Sequence, residues 1–363
     1  MNPSRLQDLI NLAREPSGDK RRELLRELTD EFFGPSVPNP AETELYGSVL
    51  AQLSTQMEEA VRQELSVRFS EAPNAPRVLA RTLAMDIEEV AAPILRHSDV
   101  LQESDLLDVV RVKGQGHLRA VSERQRVTES VSDVIVHRGS DETLGVLIRN
   151  DGAQLSRAAH ETITDRAQAN PALQDALVAR AALPPDLLNE MYFVVETRLR
   201  QKILERNATL SPDRLDAALA AGRSRLRVAD GSLPDDYETA SAYVRELHAS
   251  GSLTPEMLVR FLRSGGRTEF LIALSELADL DFHTTRQIVD TAQIDALAVV
   301  CKSAQLDRAL FLTYAVVLLN KDGDAMAKAQ AYGLMYAELD LATAQRTLRF
   351  WRLRRELAAA EAA

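Results

Sequence analysis

The stretch Ile94-Leu-Arg-His-Ser-Asp-Val-Leu101 decides the fold, because an apolar helix end is followed there by a short polar turn and a further apolar segment. Comparable strings begin at Val67, Val121, Ile148 and Val178, and the successive intervals are 27, 27, 27 and 30 residues. One such unit buries its apolar face only by stacking on its neighbours. Five phased copies therefore predict an all-α, short-period α-solenoid with a repeat of about 27 residues.

The composition favours helices along the whole chain of 363 residues. Leu, Ala, Arg and Glu are frequent and only 5% of the residues are aromatic, and these frequent side chains lose little rotamer freedom in a helix. The segment Ser130–His137 is rich in Val and Ile and suits a strand by composition. Its phase within the repeat favours a helix instead.

The pattern divides the chain into N-terminal helices (1–56), the repeat solenoid (57–207), a linker (208–236) and a C-terminal helical domain (237–363). Turn-forming residues at Asn207–Pro212 and Val228–Asp236 mark the linker. In the last region Leu280 and Leu306 lie 26 residues apart in similar surroundings, which predicts two further units of the same type.

Charge and cysteine content restrict the classes of function. The net charge of −11 argues against a dedicated nucleic-acid binder, since binding of a phosphate backbone depends on Lys and Arg. The single cysteine, Cys301, excludes an internal disulfide and a cysteine cluster for a metal. The polar first residues and the short longest apolar stretch, Leu310–Leu319, predict a cytoplasmic protein without a membrane partner.

Several strings resemble a bacterial, mainly alphaproteobacterial, family named domain of unknown function 2336. They are Leu83–Leu101, Val131-Ser-Asp-Val-Ile-Val-His-Arg-Gly139, Arg149-Asn-Asp-Gly-Ala-Gln-Leu-Ser156 and Leu183-Pro-Pro-Asp-Leu187, and the resemblance covers roughly residues 45–205. The family resembles HEAT-type helical repeats and has no catalytic motif. The resemblance therefore implies a HEAT-like fold and leaves the function open.

In HEAT-type repeats an Asp in the turn and an Arg on the second helix often pair across units. Asp86 and Arg62 occupy such positions here, whereas Ala91 stands where the next unit would carry its Arg. The resemblance thus implies one Asp–Arg pair and not a complete ladder of pairs.

No phosphate-binding glycine loop and no nucleophile elbow occurs in the sequence. The six histidines lack the spacing of helical metal ligands, and His97, His117 and His137 could bind a metal only if one face of the solenoid united them. We therefore expect a protein that is not an enzyme and has no cofactor.

Basic residues between positions 109 and 138 form the first candidate site, as an anion-binding or partner-binding patch: Arg111, Lys113, Arg119, Arg124, Arg126 and Arg138. An acidic protein segment, a phosphate or a nucleotide would suit such a patch. The alternative is a solvated face with internal ion pairs.

The second candidate site is the C-terminal helix, which combines basic and aromatic residues: Arg346, Arg349, Trp351 and Arg352. It suits a partner-binding helix or the interface of a homodimer. The alternative, which we favour, is that Trp351 and Leu348 pack on the domain that contains them.

These features predict a non-enzymatic scaffold or adaptor that binds a protein partner, in a pathway of bacterial regulation. The alternative function is a sensor that binds a phosphorylated small molecule or a nucleotide through the basic patch from Arg111 to Arg138.

Overall fold

The computed structural model describes residues 15–33, 40–55, 57–222, 232–319 and 325–361. Within these ranges every regular element is helical, apart from an isolated parallel bridge between Val127 and Ala153. The chain divides into two compact units, Met1–Ala181 and Ala182–Ala363. The all-α prediction is confirmed.

The first unit contains α1 (Gly18–Phe32), α2 (Pro40–Ser54), α3 (Glu59–Ser70), α4 (Arg77–Ala84), α5 (Glu88–His97), α6 (Glu103–Val112), α7 (Gln115–Ser122), α8 (Glu129–Arg138), α9 (Asp141–Arg149), α10 (Arg157–Ala169) and α11 (Pro171–Ala179). From α4 onward the helices form pairs with short turns. The helix α8 covers the segment that also suited a strand.

The helices of the first unit stack in two layers. In one layer α3, α5, α7, α9 and α11 pack successively, and in the other α2 packs on α4, α6 on α8, and α8 on α10. Ile94, Val121, Ile148 and Val178 all lie in the first of these layers and are at most 1% exposed. The repeat phase found in the sequence therefore corresponds to a solenoid-like stack of helices.

The first of the five phased strings is placed differently from the other four. Val67 on α3 is 56% exposed, whereas Phe69 is fully buried. Phe69 thus occupies the position that Ile94 holds on α5, and the two residues are 25 positions apart. The prediction for Val67 is wrong because the unit that precedes Ile94 is two residues shorter than the sequence alignment assumed.

The second unit contains α12 (Pro185–Glu190), α13 (Thr197–Ala208), α14 (Pro212–Gly222), α15 (Tyr237–Ala249), α16 (Pro255–Ser264), α17 (Arg267–Ala278), α18 (Phe282–Asp290), α19 (Ile294–Ser303), α20 (Arg308–Leu319), α21 (Ala325–Glu338) and α22 (Leu341–Glu361). A 3-10 turn spans Met191–Phe193. The core is centred on α19, which packs against α22, while α22 also packs against α13. Every residue from Ala296 to Cys301 is at most 1% exposed.

Five successive helices of the second unit end in the same way. Each is followed by a residue with positive φ, and the next N–H donates to the carbonyl five residues earlier: Gly251, Gly265, Asp279, Ala292 and Gln305. This is the Schellman geometry, in which the backbone satisfies its own carbonyl groups. The intervals are 14, 14, 13 and 13 residues, so two helices take 26 to 28 residues.

The recurrence of Leu280 and Leu306 corresponds to two of these helix ends. Each leucine follows a residue with positive φ, donates its N–H over 2.9 Å to Ser275 or Cys301, and is at most 7% exposed. The segment predicted as a linker contains α14, whose Leu215 is buried, and its residues 223–231 lie outside the described part. The predicted boundaries at 57, 207 and 236 stay predictions; the compact units divide between Ala181 and Ala182.

Candidate functional site

The stack of the first unit has two edges, one at each end of its helices. The turns within helix pairs, at 85–87, 113–114 and 139–140, form what we name the turn edge. The segments between pairs, at 98–102, 123–128 and 150–156, form the connection edge. The two edges are separated by the length of a helix, about 12 Å for the 8 residues of α7.

At the connection edge, buried and half-buried side chains of one repeat bind the helix end of the preceding repeat. Arg124 donates to the carbonyls of Leu95 (2.6 Å) and Ser98 (2.8 Å). Asn150 donates to Ser122 (2.8 Å) and to the carbonyl of Arg124 (2.7 Å). The carbonyls of Leu95 and Ser122 lie in the last turns of α5 and α7, where carbonyl groups have no backbone donor within the helix.

Arg180 continues this series directly after α11, the last helix of the unit. Its guanidinium donates to the carbonyls of Ile148 (2.8 Å) and Asn150 (2.9 Å), and also to that of Ala153. We name Arg124, Asn150 and Arg180 the carbonyl ladder. It joins four successive repeats by side chain to backbone bonds, and two of its three members carry a charge.

Arg124 belongs to the fold and not to a surface patch. It is 9% exposed, and burial lowers the pKa of its guanidinium, which nevertheless stays charged at neutral pH. Both terminal nitrogens are committed to carbonyl groups. The prediction that Arg124 contributes to a binding patch is therefore corrected by its burial.

The other five basic residues lie at separate places. Arg111, Lys113 and Arg138 end α6 and α8 and lie at the turn edge, Arg126 lies at the connection edge, and Arg119 lies on α7 between them. Arg138 directs its guanidinium at the carbonyl of Val110. The six residues thus do not form one continuous patch.

The side chains of Arg111, Lys113, Arg119 and Arg126 have no ion pair and no hydrogen bond to any residue that the structure describes. Other arginines of the first unit are paired, for example Arg81 with Asp108 at 2.8 Å. The alternative of internal ion pairs does not apply to these four residues.

Apolar side chains accompany two of these cations at the turn edge. Met85 is 36% exposed, Ile87 41% and Val112 64%. Arg111 is exposed beside Val112, and Lys113 is half-buried on its other side. We name Met85, Ile87, Arg111, Val112 and Lys113 the turn-edge patch.

One contact joins the two turns of this patch, and the charge of Lys113 also acts on the neighbouring turn. His117 Nε2, at the start of α7, lies 2.9 Å from the carbonyl oxygen of Asp86. Burial opposes ionisation of Asp86, but hydrogen bonds from Arg62 and from the Ile87 N–H, with the charges of Arg62 and Lys113, hold the pKa of its carboxyl below the ordinary value. Lys113 therefore lies in the field of the neighbouring turn.

The Asp–Arg pair that the family resemblance implies is present. Arg62 Nε donates to Asp86 at 2.7 Å and its second nitrogen donates at 3.0 Å, a bidentate geometry. An open cleft of about 610 Å³ lies over this pair and borders the turn-edge patch at Met85; its lining residues are Thr55, Arg62, Arg81, Thr82, Met85 and Asp86.

The histidines do not converge. His97 is exposed at the connection edge, His117 is buried at the turn edge, and His137 is exposed at the end of α8. Within the described ranges no group of three or more His, Cys, Asp or Glu side chains could hold a metal ion. Cys301 is fully buried, which raises the pKa of its thiol and shields it from reaction.

The candidate C-terminal helix uses most of its named residues inside the second unit. Trp351 is 4% exposed and packs against Tyr192 and Phe193, with ring centroids 5.2 and 5.0 Å apart. Arg346 donates to the carbonyl of Ala208, and Arg352 donates to that of Ala278. Arg349 is exposed. The packing of Trp351 agrees with the alternative that we favoured from the sequence.

A cleft of about 190 Å³ in the second unit is lined by Glu205, Asp295, Glu338 and Asp340, among other residues. Two of these carboxylates serve the fold. Asp295 pairs with Arg200 at 2.9 Å, and Asp340 accepts from the Thr343 N–H at the start of α22. We therefore place the candidate site in the first unit.

The sequence matches the model of a family described as "Uncharacterised protein conserved in bacteria (DUF2336)" over residues 90–349. The chain belongs to this family. The match begins at residue 90, later than the residue 45 expected from the resemblance, and extends past residue 205 to take in most of the second unit. No curated protein and no solved structure matches the chain.

Sequence reasoning missed the carbonyl ladder and the apolar half of the turn-edge patch. Arg180 and Asn150 follow the phased residues Val178 and Ile148 by two positions, so their regular placement was a usable signal. Nothing in the sequence indicated that Ile87 and Val112 are exposed, because both fit the apolar pattern in and next to their helices. No helix in the described ranges is long and apolar enough to span a bilayer.

Proposed function

We propose that this member of the bacterial family is a non-enzymatic scaffold or adaptor of the cytoplasm that binds a protein partner through the turn edge of its first unit. The observation that carries the proposal is the turn-edge patch, where unpaired cations lie beside exposed apolar side chains. Protein interfaces combine these features: an apolar centre and arginine at the contact, surrounded by polar groups.

The alternative of a small-molecule sensor receives less support from this geometry. A ligand pocket surrounds its ligand with convergent polar groups. The basic residues from Arg111 to Arg138 are instead divided between two edges and the face of α7, and Arg124 is committed to the fold. A shallow edge with apolar side chains suits a macromolecular partner better.

Site-specific photo-crosslinking in the native cell tests the proposal. Benzoylphenylalanine replaces Val112 in one variant and Val67 in a control, since both valines are more than half exposed and Val67 lies away from the turn edge. We expect a reproducible protein adduct from position 112 and none of the same mass from position 67. If position 112 yields no protein adduct, or both positions yield the same adducts, the scaffold function is refuted.

A further inference from the structure

We infer that the turn-edge patch binds an acidic protein segment that carries at least one apolar side chain, an inference that rests on the proposed function. Its first basis is charge. Arg111 and Lys113 have no ion pair or hydrogen bond within the described ranges, and Asp86 of the neighbouring turn is paired with Arg62 at 2.7 Å. A carboxylate from outside can therefore form an ion pair with these two cations.

The second basis is the apolar surface beside the cations. Val112 is 64% exposed and Ile87 41%, so water covers side chains that adjoin the charges. Burying them against an apolar side chain is favourable, and it also reduces the solvent screening of the neighbouring ion pairs. A purely acidic, fully polar ligand would leave this contribution unused.

The distance between the two turns sets the pattern of the segment. Packed helices such as α5 and α7 lie about 8–10 Å apart, and an extended chain advances about 3.4 Å per residue. A segment that reaches from Ile87 to Lys113 therefore needs about three residues. The acidic and apolar positions of the segment should lie about three positions apart.

Other anionic partners fit less well. Glu88 and Glu89 begin α5 directly after the first turn of the patch, and both are exposed. A nucleic acid places a phosphate at every nucleotide and would face these carboxylates. A protein segment can instead place neutral residues opposite them.

Panning a random 12-residue peptide display library against the full chain tests this inference. We expect the enriched peptides to be acidic, with an apolar residue about three positions from a Glu or Asp. The double variant R111E/K113E should weaken binding of the best peptide at least tenfold, and raising the salt concentration should weaken binding to the wild type. The matched control is R126E, an exposed and unpaired arginine at the connection edge. It should leave the affinity unchanged.

The remaining outcomes overturn the inference in distinguishable ways. Enriched peptides that are neutral or basic, but still depend on Val112, would refute the acidic segment and leave the scaffold function standing. If no peptide is enriched, or if R126E weakens binding as much as R111E/K113E, the inference is wrong. Calorimetry with inorganic phosphate separates a last case, in which phosphate binding that R111E/K113E abolishes identifies a small-anion site instead. The milder variant R111Q/K113Q guards against misfolding and should weaken peptide binding in the same direction.

Discussion

The two units of this chain share a repeat length of about 27 residues but close their helix ends by different chemistry. In the first unit, Arg124, Asn150 and Arg180 of the following repeats donate to carbonyl groups at the ends of α5, α7 and α9. In the second unit five helix ends close through their own backbone.

The difference has a consequence for stability. A carbonyl satisfied by the next repeat couples the two repeats, because neither has a complete set of hydrogen bonds without the other. A helix end with Schellman geometry satisfies its carbonyl groups with its own backbone, so neighbouring helices are coupled there only by apolar packing. We therefore expect the ladder to contribute more to the cooperativity of the first unit than any single helix end contributes to the second.

The largest effect is expected from Arg124→Ala. It removes a charged donor from two buried carbonyls and should destabilise the first unit by about 3 kcal/mol. Hydrogen exchange measured by mass spectrometry should show faster exchange in α5 and α7, with α17 and α19 unchanged. The control is Arg126→Ala, an exposed residue two positions away, with an expected change within about 0.5 kcal/mol. Equal effects of the two variants would show that the ladder does not hold the repeats together.

A pH dependence should also distinguish the first unit. His160 on α10 is 4% exposed, and burial, with the charges of Arg180 and Arg157, lowers the pKa of its imidazole against the opposing bond to Ser156. The unfolded chain binds the proton more readily, so stability is complete above about pH 6.5 and falls as the pH decreases toward the folded-state pKa.

Titration of this histidine changes the free energy of unfolding by at most about 1.4 kcal/mol per pH unit. This pH dependence can be measured by urea unfolding of the full chain between pH 7.5 and 5.5. Hydrogen exchange in α10 serves as the local readout. His160→Gln removes the titrating group and should flatten the profile in this range. An unchanged slope in the variant would assign the pH dependence to other groups.

The smallest effect concerns the helix ends of the second unit. Ala292 has a φ of 52° and is exposed, so Ala292→Gly should stabilise this unit by about 1 kcal/mol, since glycine adopts this conformation without strain. The reciprocal variant, Gly251→Ala, adds a methyl group into open space at a φ of 67° and should destabilise by a similar amount. Thermal unfolding of both variants checks the pair. Changes of equal sign would argue that backbone strain is not the cause.

Particular residues show which parts of the fold could be predicted from the sequence. The repeat phase at Ile94, Val121, Ile148 and Val178 predicted one layer of the stack, since periodic burial leaves a periodic pattern. The prediction failed at Val67, which fits the sequence pattern but is exposed. The buried apolar position of that repeat is occupied by Phe69, two residues later.

The candidate site was less accessible from the sequence. Arg124 and Arg126 are two positions apart and look alike, yet one is 9% exposed and the other is on the surface. What separates them is the position of carbonyl groups in the preceding repeat, a property of the folded backbone. The same holds for Val112, whose exposure depends on which helices cover it.

In the first unit the carbonyl ladder joins successive repeats at the connection edge, and we propose that the partner binds at the turn edge, where other side chains also bond between repeats. Hydrogen exchange of the full chain can be measured with and without the best acidic peptide from the display library. It reports protection at the turn edge and at the connection edge in the same experiment. We expect added protection at residues 85–88 and 111–115 and no change at residues 123–128. Protection confined to residues 123–128, or to the second unit, would contradict the account.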